Sequence, residues 1–105
     1  MLKHNANNER IKHRYFVYLK EAKHLSEQTL DAVAKALARF EGYTQFKDFR
    51  AFHYQQAIAF KAHLANQKNQ KSGQPLSKAT RYSTLAALQR FFQWLAGQPS
   101  YRSRL

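Results

Sequence analysis

A chain of 105 residues suits one domain with a genuine hydrophobic core, and 44% apolar and 14% aromatic residues argue against disorder. The absence of cysteine excludes disulfides, thiolate metal sites and a cysteine nucleophile. Eighteen Lys and Arg against six Asp and Glu leave a formal charge of +12, which repels itself and favours a polyanionic partner.

The opening residues lack the apolar stretch of a secretory signal. No apolar run approaches the roughly 20 residues that cross a bilayer, so a cytoplasmic protein with no membrane partner is expected. The first helix is predicted from about Asn8 to Lys23. Ile11, Tyr15, Tyr18 and Ala22 recur at helical spacing with Leu19 beside them. Lys12, Arg14 and Lys20 are left outside. The second helix opens at Ser26, whose hydroxyl can accept from a free backbone N–H. Glu27 complements the positive helix end, Leu30, Val33, Leu37 and Phe40 form its buried stripe, and Gly42 is the expected stop.

Tyr43 to Phe52 reads as a connector. Phe46, Phe49 and Phe52 recur every third residue, which suggests a helical turn against the core. A third helix is predicted from about Tyr54 to Lys68, with Ala57, Phe60 (or Lys61), Leu64, Ile58 and Ala65 on its inner side. Residues 69–76 contain Gly73 and Pro75 and read as an exposed loop. The fourth helix opens at Ser77 and carries Leu85, Leu88, Phe92 and Leu95 at helical spacing. Phe91 and Trp94 widen that face, and Gly97 and Pro99 end the helix. No run of alternating β-branched residues argues for a strand. The aromatics at helical spacing are core residues on this reading, with Tyr82 held open as a base-stacking side chain.

Charge is distributed unevenly along this order. Residues 1–24 carry six bases and two acids, residues 25–48 three bases and four acids, and residues 49–105 nine bases and no acid. Solvated surfaces ordinarily mix signs. An acid-free half points to nucleic acid, the alternative being a basic but inert surface.

Two segments echo each other. Leu25-Ser26-x-x-Thr29 and Leu76-Ser77-x-x-Thr80 both lead, at the same offset, into Ala-Leu-x-Arg-Phe: Ala36, Leu37, Arg39, Phe40 and Ala87, Leu88, Arg90, Phe91. Each places a capping serine at a helix start and a threonine three residues on. The free N–H groups of a first helical turn suit a phosphate, and hydroxyls there can donate to phosphate oxygens or meet base edges. Two such starts beside Lys23, Lys78 and Arg81 suggest a mixed role, the serines capping while their neighbours touch DNA. The plainer reading makes both serines ordinary caps.

Other chemistry finds little support. His4, His13, His24, His53 and His63 form neither an i, i+4 pair nor a zinc-finger spacing, so no metal is expected. There is no phosphate-cradling glycine loop. Glu27 and Asp31 are four residues apart but look like helix-start acids. Neither an enzyme nor a cofactor is expected.

The ordered set of a Tyr-rich first helix, Leu-Ser-x-x-Thr into a second helix ending in Phe, and then Leu76, Ser77, Thr80, Leu88, Phe91, Trp94 and Leu95 resembles the core-binding domain of tyrosine recombinases. This is also called the SAM-like N-terminal domain of phage integrases. The resemblance runs from about Asn8 to Gly97. It implies a single all-α domain over residues 1–105, a compact bundle of four to five helices that grips one face of duplex DNA. It also implies a role in site-specific recombination or DNA integration. The helices matching the second and fourth would lie across the DNA, partly in the major groove. Carried onto this sequence, the contact candidates are Ser26, Gln28 and Thr29, then Ser77, Lys78, Thr80, Arg81 and Thr84. Lys71 in the preceding loop would reach a phosphate, and Lys23, beside the second helix start, is a further DNA-contact candidate.

The family's catalytic tyrosine, arginines and histidines belong to a separate C-terminal domain, so residues 98–105 are expected to be a linker and Tyr101 no nucleophile. The isolated domain is expected to be monomeric, with other recombinase subunits as further partners. Two alternatives stay open: a helical module for subunit assembly, favoured by an exposed patch at Phe16 or Tyr18, and a single-stranded nucleic-acid binder.

Overall fold

The computed structural model describes residues 5–67, 73–74 and 76–98. Four α-helices make up the described part: α1 (Ala6–Glu21), α2 (Glu27–Thr44), α3 (Tyr54–Asn66) and α4 (Lys78–Ala96). A 3₁₀ turn (Phe49–Ala51) lies between α2 and α3. The all-α bundle expected from the periodicity is therefore what forms.

Each helix start has a side-chain acceptor over its first free N–H groups. Asn5 accepts from the backbone of Asn7 and Asn8 at α1, and Ser26 from Thr29 at α2. His53 accepts from Gln56 at α3, and Ser77 from Thr80 at α4. The first helix thus begins two residues before the expected Asn8, because Asn5 supplies the cap.

The core collects Ile11, Tyr15 and Leu19 of α1, Leu37 and Phe40 of α2, and Phe49 of the 3₁₀ turn. Phe60 and Leu64 come from α3, and Leu88, Phe91, Phe92 and Leu95 from α4. Aromatic edges and faces lock these together: Tyr15 meets Phe91 edge-on at 5.0 Å, Phe40 meets Phe60 and Phe92, and Phe52 stacks on Phe92 at 3.8 Å. Trp94 is half-buried between Tyr15 and Tyr18.

The amino end of α1 is pinned to the carboxyl end of α2, so the two helices form an antiparallel pair. Asn8 is wholly enclosed. Its amide donates to the Lys47 carbonyl at 2.8 Å and to the Glu41 carboxylate at 3.4 Å, and its oxygen accepts from the Phe49 N–H at 2.9 Å. Buried Glu41 also pairs with the Lys12 ammonium, which reaches Glu9 as well. Burial works to lower the Lys12 pKa, but its hydrogen bonds to Glu41 and Glu9 outweigh that and raise it. A buried carboxylate without such partners would be costly.

Some inward positions of the sequence reading are corrected. Ala22 is exposed, because α1 ends at Glu21 and the chain turns away through His24 at φ 53°. Gly42 does not stop α2. The helix runs on to Thr44, and the reversal falls on Gln45 and Phe46, at φ 59° and 61°. Glycine at 42 meets open space rather than a required left-handed turn. Ile58 is 53% exposed and Ala65 is exposed, since buried Phe60 and Leu64, with half-buried Ala57, carry the inner side of α3. Lys68, Pro75 and Pro99 lie outside the described residues.

Candidate nucleic-acid interface

The echoed segments fold alike. At α2, the Ser26 Oγ accepts from the Thr29 N–H at 3.2 Å and lies 3.0 Å from the Thr29 hydroxyl. At α4, the Ser77 Oγ accepts from the Thr80 N–H at 3.1 Å and donates to the Thr80 hydroxyl at 3.0 Å. The capping backbones also agree, at φ −69°, ψ 159° and φ −64°, ψ 158°. Both hydroxyl pairs are thus closed on themselves as caps, although Ser26, Thr29 and Ser77 remain exposed and Thr80 half-buried.

The surroundings of the two starts differ. On α2, exposed Gln28 stands between Glu27 and the exposed ion pair of Asp31 with Lys35, 3.2 Å apart. Carboxylates there oppose a phosphate. Lys23 lies before α2, with its ammonium 6.0 Å from the Tyr18 ring centroid, a distant cation–π contact. On α4, exposed Lys78 is followed by half-buried Arg81, and no acid occurs anywhere in the helix. The Arg81 Nε is enclosed without a hydrogen-bond partner, so this side chain is held against the bundle. Among the described residues no hydrogen bond or ion pair joins the two helix starts.

Thr84 is a correction. It is 4% exposed and its hydroxyl donates to the Thr80 carbonyl at 2.8 Å, so it faces the bundle and offers nothing to a ligand. Its spacing from Thr80 and Leu88 puts it on the inner side of α4. Lys71 lies outside the described residues.

The sequence reading singles out Lys78 and Tyr82 on the outward stripe of α4 but not its later members, Gln89 and Gln93. Lys78, Tyr82, Gln89 and Gln93 repeat at four, seven and four residues and are all exposed, with Ser83 and Arg90 beside them. Tyr82 is 77% exposed, the most exposed large apolar side chain described. The signal was available as the complement of the buried Leu88, Phe91, Phe92 and Leu95.

Between α3 and α4 lies an apolar cleft of about 500 Å³, lined mainly by Phe40, Phe52, Phe60, Leu88 and Phe92, with no titratable side chain. Phe16 and Tyr18 are half-buried and packed on the core rather than displayed as a patch. Among the described residues no three His, Asp or Glu come together to hold a metal ion, and no described helix is long and apolar enough to cross a membrane.

These features define a small helical domain whose fourth helix carries basic side chains and no acid. Residues 13–98 match the family described as phage integrase, N-terminal SAM-like domain, and the chain belongs to that family. The match falls on the N-terminal, non-catalytic domain of these recombinases. No curated protein and no solved structure matches the chain.

Proposed function

We propose that this chain binds duplex DNA as the non-catalytic core-binding domain of a tyrosine recombinase or phage integrase, supporting recombination or integration performed with a separate catalytic domain. The observation that carries this reading is the outward face of α4, which presents Lys78 and Arg90 without a single carboxylate on the helix. Cations on such a face neutralise phosphates and release counterions. Arg81, restrained by packing, adds a cation already partly fixed in place, which lowers the ordering cost of binding. The α2 start, with Glu27 and Asp31, is the weaker phosphate site, and Gln28 and Thr29 are its polar contacts.

The test is a salt titration of duplex affinity for the parent chain and the Lys78→Ala/Arg81→Ala variant. The parent is expected to lose affinity by about 0.9 log units per log unit of salt for each phosphate neutralised. The double variant should lose about tenfold in affinity and about two phosphates' worth of slope, with helicity unchanged. Unaltered affinity and slope would remove α4 from the interface.

A further inference from the structure

The cleft between α3 and α4, about 500 Å³, has the size of a ligand site and not of a packing defect. Its floor is made by buried Phe40, Phe60, Leu88 and Phe92 with half-buried Phe52. These rings already engage one another: Phe52 stacks on Phe92 at 3.8 Å, and Phe40 meets Phe60 and Phe92 edge-on. The floor therefore offers apolar surface rather than free ring faces on which bases could stack. The wall on α4 is elongated. Leu85, Gln89, Gln93 and Ala96 line it, and the helix rises about 16.5 Å from the first to the last. At helical spacing the same stripe runs back through Tyr82, 77% exposed, to Lys78.

The opposite lip belongs to α3. His63 is turned towards α2, its ring 4.7 Å from Tyr43. Helical spacing then puts Lys61, one turn after Ala57, on the side of α3 away from α2, with Ile58, 53% exposed, beyond it. Tyr82 and Ile58 are two of the three exposed large apolar side chains among the described residues, and both lie at the borders of this cleft. The charge there has one sign, because residues 49–98 hold no Asp or Glu.

We propose that this cleft is a docking groove for an acidic amphipathic helix of another protein. Aliphatic side chains at i, i+4 and i+7 of the guest rest on the aromatic floor, and its carboxylates lie beside Lys61 and Lys78. The groove is independent of duplex binding. An i to i+7 set spans about 10.5 Å and fits along the α4 wall. The Gln89 and Gln93 amides meet the polar edge of the guest. A duplex supplies negative charge but no aliphatic side chains for the floor. A second copy of this chain brings a further +12 against the same cationic borders.

The experiment measures anisotropy of three labelled helical peptides of about 18 residues with the intact chain. The first carries leucines at i, i+4 and i+7 flanked by glutamates. The second has the same composition with the leucines dispersed around the helix, and the third has lysine for every glutamate. The first is expected to bind about tenfold tighter than either of the others, and to shift the backbone amides of Ala57, Lys61, Leu85, Gln89 and Gln93 in NMR spectra of the unaltered chain. Lys61→Glu should weaken it about fivefold. Lys20→Glu, the same charge change at an exposed site on α1, should weaken it less than about twofold. Circular dichroism verifies that both variants fold. A dispersed peptide that binds as tightly as the first, or equal losses in the two variants, overturns the proposal by reducing it to net charge. Self-association that shifts those amides, or a single-stranded oligonucleotide that shifts them without peptide, overturns it by giving the cleft another occupant. A chain that binds duplex DNA and none of the peptides loses this inference alone.

Discussion

Asp48 and Asn8 show how single side chains hold this fold. Asp48 accepts from the Arg50 backbone and side chain and from the Asn7 amide, stapling the 3₁₀ turn to α1. The hydrogen bond from the Arg50 side chain, aided by those from Asn7 and the Arg50 backbone, outweighs the opposing effect of burial and holds the carboxyl at about 2, below its ordinary 3.8. A folded value below the unfolded one means the stabilisation is present above about pH 4 and is lost as pH falls through about 2. With Arg50 partly solvated, about 1 kcal/mol is at stake. Urea midpoints between pH 5 and 2 should therefore fall more steeply for the parent than for Asp48→Asn. Asn8→Ala strips partners from the Phe49 N–H and the Lys47 carbonyl at once, and a loss of about 3 kcal/mol is expected in the same melts. A loss under about 1 kcal/mol would mean that water replaces the amide.

At the scale of elements, the two serine-capped helices share one geometry and differ in charge, so one substitution should separate them. Aspartate caps a helix about as well as serine. Ser77→Asp is expected to leave thermal stability within about 0.5 kcal/mol while lowering duplex affinity several-fold, because it sets a carboxylate beside Lys78. Ser26→Asp should change affinity much less, as Glu27 and Asp31 already stand there. Equal losses at both positions would place both helix starts against phosphate. The helices themselves were legible from sequence because Leu, Phe and Ala recur at helical spacing between polar caps. The end of α2 was not, because glycine signals a stop only where the chain needs a positive φ, and here Gln45 and Phe46 supply it. Thr84 was misplaced because a motif places a residue on a helix without saying which side faces the core. Periodicity alone, taken around Leu88 and Leu95, puts Thr84 inside and Tyr82 outside. The link between Asn8, Glu41 and Lys47 joins residues more than 30 positions apart in sequence, and no local pattern announces it.

The whole molecule carries its net charge of +12 with only four salt bridges among the described residues, three of them on or between α1 and α2. Self-repulsion of this kind opposes the compact state and is screened by salt. Raising salt from about 50 to 300 mM should therefore raise the melting temperature of the free chain while weakening its hold on duplex DNA. Melting curves and binding isotherms across one salt series check both signs. A melting temperature that falls with salt would show that favourable ion pairs, not repulsion, dominate the folded state.

All six acids lie on α1, on α2 or in the connector before the 3₁₀ turn, and none lies on α3 or α4. The bundle is consequently lopsided as well as positive, one helical pair mixed in sign and the other wholly cationic. A strongly charged rod exerts a torque on such a body before any atoms meet. An encounter with such a rod would be biased in orientation as well as frequency, and random collisions would be converted into arrivals with the α3–α4 side leading.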